Sequence, residues 1–140
     1  MFTATQTAGA VAQDINQYDA EAIRNILAEA KEAARIAAQS WLADWVEKTG
    51  GNQYGEPMYC GFAWVTVYPE HKGNTKLGKG ERRVLESMGF KKDWTGKAYQ
   101  LWNPGGHAGQ SMDVKEHGAH AYAEVLQQHG FRAYMGSRAD

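Results

Sequence analysis

The chain reads as an α+β protein, a ferredoxin-like β-α-β-β-α-β plait preceded by a long N-terminal amphipathic α-helix. Three observations predict this. Residues 19–48 repeat apolar side chains at three- and four-residue steps, the period of one helical face. The stretch MYCGFAWVTVYPE (58–70) is rich in β-branched and aromatic residues and is stopped by Pro69, as a strand is. The remainder alternates short helical and extended runs between glycine-rich breaks, an order that two helices on one face of an antiparallel sheet satisfy.

Taken in order, residues 1–17 are polar, small and aperiodic and predict a flexible arm. Asp19 is placed to cap a helix that Thr49-Gly50-Gly51 ends, with Ile23, Ile26, Leu27, Ala30, Ala34, Ala37, Trp41, Leu42, Trp45 and Val46 on one face. Such a helix is about 42–45 Å long and exceeds the width of a small domain, so it must overhang, bend or pack on another subunit. Its alanine-rich middle favours the last, a homo-oligomer through the N-terminal helix. Residues 51–140 then form a single α+β domain.

In the first strand, alternation puts Cys60, Phe62, Trp64, Thr66 and Tyr68 on one face and Gly61, Ala63, Val65 and Val67 on the other. The aromatic face needs a cover, and the N-terminal helix is the expected one. A short helix from Glu81 to Met88 follows, then strand segments 90–93 and 97–102 joined by a turn at Thr95-Gly96. Asp113 and Glu116 have the spacing of a capping box for a helix through His129. A last strand spans 131–135, and Ser137–Asp140 form a docked tail.

The composition, 43% hydrophobic and 22% charged, is that of a globular domain, and no apolar run nears the ~18–20 residues that span a bilayer. The start of the chain has neither a basic nor an apolar segment of a secretory signal. One cysteine, Cys60, excludes an internal disulfide and a cysteine-cluster zinc site, and a reducing cytoplasm is expected. The net charge of −1 hides an asymmetry: residues 1–56 carry 4 basic and 8 acidic side chains, whereas 57–140 carry 11 and 8. Residues 71–97 alone hold eight lysines and arginines against Glu81, Glu86 and Asp93. That segment is the natural attractant for an anionic partner.

Within it, GNTKLGKG (73–80) resembles a phosphate-binding P-loop. Gly80 stands where the magnesium-holding Ser or Thr belongs, and too little chain follows for the usual parallel sheet, so hydrolysis of a nucleoside triphosphate is excluded. A basic loop leading into a helix, with or without phosphate contact, is what remains. Asp113, His117 and His120 share a helical face but match no zinc motif, so no metal and no cofactor are expected. Ser111 lacks the tight turn of a catalytic serine, and Cys60 sits in an apolar strand as a small hydrophobe. Phe62, Trp64, Tyr68, Tyr99 and Trp102 admit two readings, a core beneath the first helix or exposed base-stacking rings. The basic-Gly-aromatic-Gly consensus of RNA-recognition domains is missing.

CGFAWV (60–65), GNTKLGKG (73–80), LWNP (101–104), GQSMDVKEHGAHAYAEVL (109–126) and GSRAD (136–140) together resemble a family of small proteins encoded by tailed phages. The resemblance covers residues 57–140 and implies a phage origin and a role in the cytoplasm of the infected bacterial host, but no reaction. It draws attention to Lys79, Trp102, Asn103, Gln110, Asp113, Lys115, Arg138 and Asp140.

These readings converge on an accessory binding protein that captures an anionic, nucleotide-like small molecule or a host protein. The expected ligand-binding residues are Lys76, Lys79, Trp102, Asn103, Gln110, Asp113, Arg138 and Asp140, in one pocket between the lysine loop, the 103–113 loop and the tail. A small enzyme degrading S-adenosylmethionine, a nucleic-acid-binding protein and a virion or assembly protein are the alternatives. No membrane partner is expected.

Overall fold

The structure, a computed structural model, describes residues 14–140. Residues 1–13 of the expected arm lie outside the described residues. Residues 15–17 do not extend an arm: they form a 3-10 helix capped by Asp14, with Ile15 buried in the core.

Helix α1 runs from Ala20 to Thr49. The Asp19 carboxylate accepts the N–H of Ala22, and Gly50, at φ 82°, makes the left-handed turn that ends the helix. Four further segments and two helices complete the fold: β1 (Gly61–Val67), α2 (Lys76–Ser87), β2 (Lys91–Lys92), β3 (Tyr99–Trp102), α3 (Met112–Gln128) and β4 (Ala133–Ala139). The strands form one antiparallel sheet in the order β2-β3-β1-β4. No helix is long and apolar enough to cross a membrane among the described residues.

The alternation predicted for β1 holds. Ala63, Val65 and Val67 are buried in one cluster with Leu85 and Met88 at α2 and Tyr122 and Leu126 of α3. The cover of the other face differs from expectation. Helix α1 does not lie on the aromatics; it lies antiparallel along α3, on the helical side. Tyr18, just before α1, donates its hydroxyl to the His129 carbonyl at 2.6 Å; Glu29 meets His129 at 2.9 Å, and Trp41 stacks on His117 near α3's start. The physical reason is the seam between them. Ala34 and Ala38 of α1 face Gly118 of α3, where a Cβ would come within 3.5 Å of the Ala34 carbonyl and 3.2 Å of the Gly105 Cα. Two helices with small residues approach this closely, and a sheet face of indoles cannot offer the same fit. Beyond Trp41 the last turns of α1 run past the start of α3, leaving Val46 exposed.

Three element boundaries are corrected. Helix α2 starts at Lys76, not Glu81, because the Thr75 hydroxyl caps it by accepting the N–H of Gly78. Five of the eight residues of GNTKLGKG are therefore helix. Its glycines serve close packing: a Cβ on Gly78 would collide with the Lys72 carbonyl, and one on Gly80 with the Asn16 side chain. Helix α3 is capped by Ser111, whose hydroxyl faces the N–H of Val114 at 3.5 Å, and Asp113 sits in the first turn instead of at the cap. Strand β4 extends to Ala139, since Gly136–Ala139 pair with Gly61–Trp64 although their composition is not strand-like. The tail is docked as expected, the Asp140 N–H donating to the Cys60 carbonyl at 3.0 Å.

Candidate functional site

Because α1, α2 and α3 all pack toward Ala63, Val65 and Val67, the opposite face of the sheet is left open. Strand register fixes what it displays. Phe62 stands beside Arg138; Trp64 lies between Gly136 and Trp102; Thr66 lies between Tyr134 and Gln100, with Lys91 beyond Gln100. The rings touch in a chain. Trp64 and Trp102 stack with centroids 4.8 Å apart and planes at 28°, and Phe62 meets Trp102 edge-on at 5.7 Å. Tyr68 and Tyr134 form a second pair at 6.0 Å. Trp102 and Tyr134 remain 48% and 53% exposed, unusual for rings of this size unless they meet something.

Gly136 is what lets the platform lie flat. A Cβ there would come within 2.7 Å of the Trp64 Nε1, so the indole occupies space that any other residue would fill. The Trp102 ring is oriented by a hydrogen bond from its Nε1 to the Gln100 Oε1 at 3.3 Å. In the β2–β3 turn, Trp94 is 93% exposed among Lys91, Lys92 and Lys97, while the Asp93 carboxylate accepts the N–H groups of Thr95 and Gly96 and holds the turn.

The start of β1 gathers most of the expected site residues. The Asn103 N–H donates to Ala63, and Asn103 has φ 47°, a conformation for which asparagine is among the more tolerant residues. Gln110 accepts the Gly61 N–H, Arg138 is paired with Phe62, and Asp140 bonds Cys60. With Trp102 beside Trp64 and Asp113 in the first turn of α3, six of the eight expected residues share this end. Here the 103–111 loop is fastened by Glu56. Its carboxylate meets His107 Nε2 at 2.5 Å and accepts the N–H groups of Gln110 and Ser111 at 2.8 and 2.9 Å. Burial pushes the Glu56 carboxyl up, but these three hydrogen bonds outweigh it and hold it below the ordinary value.

Lys76 and Lys79 lie elsewhere. Helix α2 is tied to the far end of β1, its buried Glu81 accepting the N–H groups of Glu70 and His71. Seven residues of extended strand separate the two ends, about 20 Å. The single pocket expected from loop, lysines and tail is therefore two separate places.

Other candidates are accounted for structurally. Ser111 is wholly buried as the α3 cap, and Cys60 donates its thiol to the Met58 carbonyl at 3.3 Å. His117 bonds the Asp113 carbonyl and stacks on Trp41. Among the described residues no three His, Cys, Asp or Glu side chains are placed to hold a metal. Tyr134, Gly136 and Trp94 escaped sequence reasoning: Tyr134 and Gly136 matter through register, and Trp94 only through an exposure that composition does not reveal.

No family model, no curated protein and no solved structure matches the chain.

Proposed function

We propose that the protein is a non-catalytic binding module for nucleotide chemistry, in which the open sheet face stacks the bases of a single-stranded nucleic acid. The observation that carries this reading is the uncovered chain of rings Phe62–Trp102–Trp64, continued along the sheet by Tyr68 and Tyr134. Arg132, Arg138, Lys91 and Lys97 fringe it and supply charge complementary to phosphates. The antiparallel order β2-β3-β1-β4, with the helices on one face, supports reading the fold as a ferredoxin-like plait, an architecture whose free face serves this purpose in RNA-recognition domains. The absence of the RNA-recognition consensus is compatible with stacking, which every base permits. A phage setting, as the sequence resemblance implies, would supply such strands during replication or expression.

The same chemistry is offered by a free nucleotide, and one experiment separates the two. A fluorescent single strand of about 12 nucleotides is titrated against the protein at several salt concentrations, with free mononucleotide as competitor. Binding that weakens with salt and drops by about 5- to 150-fold in Trp102→Ala is expected, from stacking worth ~1–3 kcal/mol per base. Unchanged binding in Trp64→Ala and Trp102→Ala would overturn the reading. Loss of S-adenosylmethionine on incubation would replace a binding module with an enzyme.

A further inference from the structure

We propose that Lys115 and Arg138 form a phosphate-binding subsite beside Phe62, which sets the direction in which a nucleotide lies on the sheet. The inference rests on the stacking role given to the open face, and adds to it a phosphate position and a polarity. Lys115 belongs to the first turns of α3 and is only 8% exposed. Its ammonium has three donors. One goes to the Gly61 carbonyl at 3.0 Å, and the ammonium sits 5.5 Å from the centroid of the Phe62 ring. The Arg138 guanidinium lies 5.7 Å from the same centroid. Two cations thus converge on one ring at the end of the aromatic chain.

Neither is neutralised. Among the described residues no carboxylate forms an ion pair with Lys115 or Arg138. Two acidic groups at this end have other partners: Glu116 accepts from the Ser137 hydroxyl at 2.5 Å, and Glu56 is held by His107 and two backbone N–H groups. Among the described residues Asp113 and Asp140 form no ion pair with either cation. A lysine withdrawn from water without a counter-ion is costly to keep, and a second cation at the same ring adds to that cost. A bound phosphate removes both penalties: it accepts from the two unused ammonium donors and from the guanidinium fork. The adjacent stack then receives the base, so phosphate lies toward Phe62 and the base toward Trp64 and Trp102.

Three ligands separate this subsite from the stacking face: inorganic phosphate, adenosine and adenosine monophosphate, each followed by amide NMR. Phosphate alone is expected to shift the Gly61, Phe62 and Arg138 signals, and the monophosphate to bind roughly 10-fold more tightly than adenosine. Lys115→Met keeps the buried stem and should abolish both effects while adenosine still perturbs Trp64 and Trp102. Arg138→Gln, at an exposed position, should reduce the preference without any question of folding. If adenosine and its monophosphate bind equally and phosphate shifts nothing, the subsite is wrong and the stacking face stands. If phosphate shifts the Lys115-dependent signals but adenosine never touches the indoles, the stacking face is wrong and the subsite stands.

Discussion

Tyr122 carries its hydroxyl into the core, where it is fully buried and nothing among the described residues accepts it. Burial pushes the phenol up to about 12, so it stays protonated and its O–H stays an unused donor. An unsatisfied buried donor costs roughly 1–3 kcal/mol, whereas the ring itself packs well. Tyr122→Phe should therefore stabilise the protein by about 1 kcal/mol, raising the thermal midpoint by about 2–4 °C. A fall in stability, measured by urea or heat, would show that the hydroxyl has a partner in solution. At this scale the sequence is least explicit. Lys115 stands in a helix next to Glu116, which reads as an ordinary solvated pair until the Gly61 carbonyl and the Phe62 ring are seen to enclose it. Arg138 likewise is one charged residue in a short tail, and only register with Phe62 gives it a neighbour.

Elements were legible where one local signal dominates and misplaced where two compete. Asp19 and Gly50 bracket α1 without rivals. Thr75 and Ser111 lost in sequence reasoning to Glu81 and Asp113, because each has acidic residues a few positions on that also suit a first turn. The 136–139 segment became strand through pairing with β1, a long-range effect outside any local window. The loop between β3 and α3 shows how side chains fix an element that backbone propensity does not. The Glu56 carboxylate, below its ordinary value in the folded protein, ties residues 52–60 to Gln110 and Ser111. The linkage has a definite sign. A carboxyl lowered on folding adds stability fully above its unfolded value of about 4.3, and that contribution is lost as pH falls through the folded value. Amide exchange at Gln110 and Ser111 should therefore accelerate on acidification below about pH 4.3. In Glu56→Gln the loop should already exchange faster at neutral pH and respond less to acid. Identical acid profiles in the two proteins would remove Glu56 from this role.

At the scale of the molecule, periodicity distinguishes the two faces of β1 but cannot say which one the protein covers. That choice is made by α1, whose alanines find Gly118 of α3 and not the aromatic sheet face. The consequence is that α1 is no appendage to a domain spanning 51–140. Ile23, Ile26, Ala30 and Ala34 lie in one cluster with Val65, Ala119, Tyr122 and Leu126, so a single core is shared across that boundary. Burying an isoleucine stabilises by ~1.5–3 kcal/mol, and the net stability of a domain is only about 5–15 kcal/mol. Two isoleucines and the helix seam therefore amount to a large part of the whole. Excising α1 also bares Ala119 and the α3 face it covers, adding an apolar surface to whatever fold is left. A fragment of residues 51–140 should accordingly fail to melt cooperatively and should show collapsed amide dispersion, and a peptide of residues 14–50 added in trans should recover part of both. A fragment that alone gives a dispersed spectrum and a cooperative melt would show that the sheet, α2 and α3 suffice. In that case the open aromatic face would compete with the bared helical face for any partner, and binding measured on the fragment would no longer report on the intact protein.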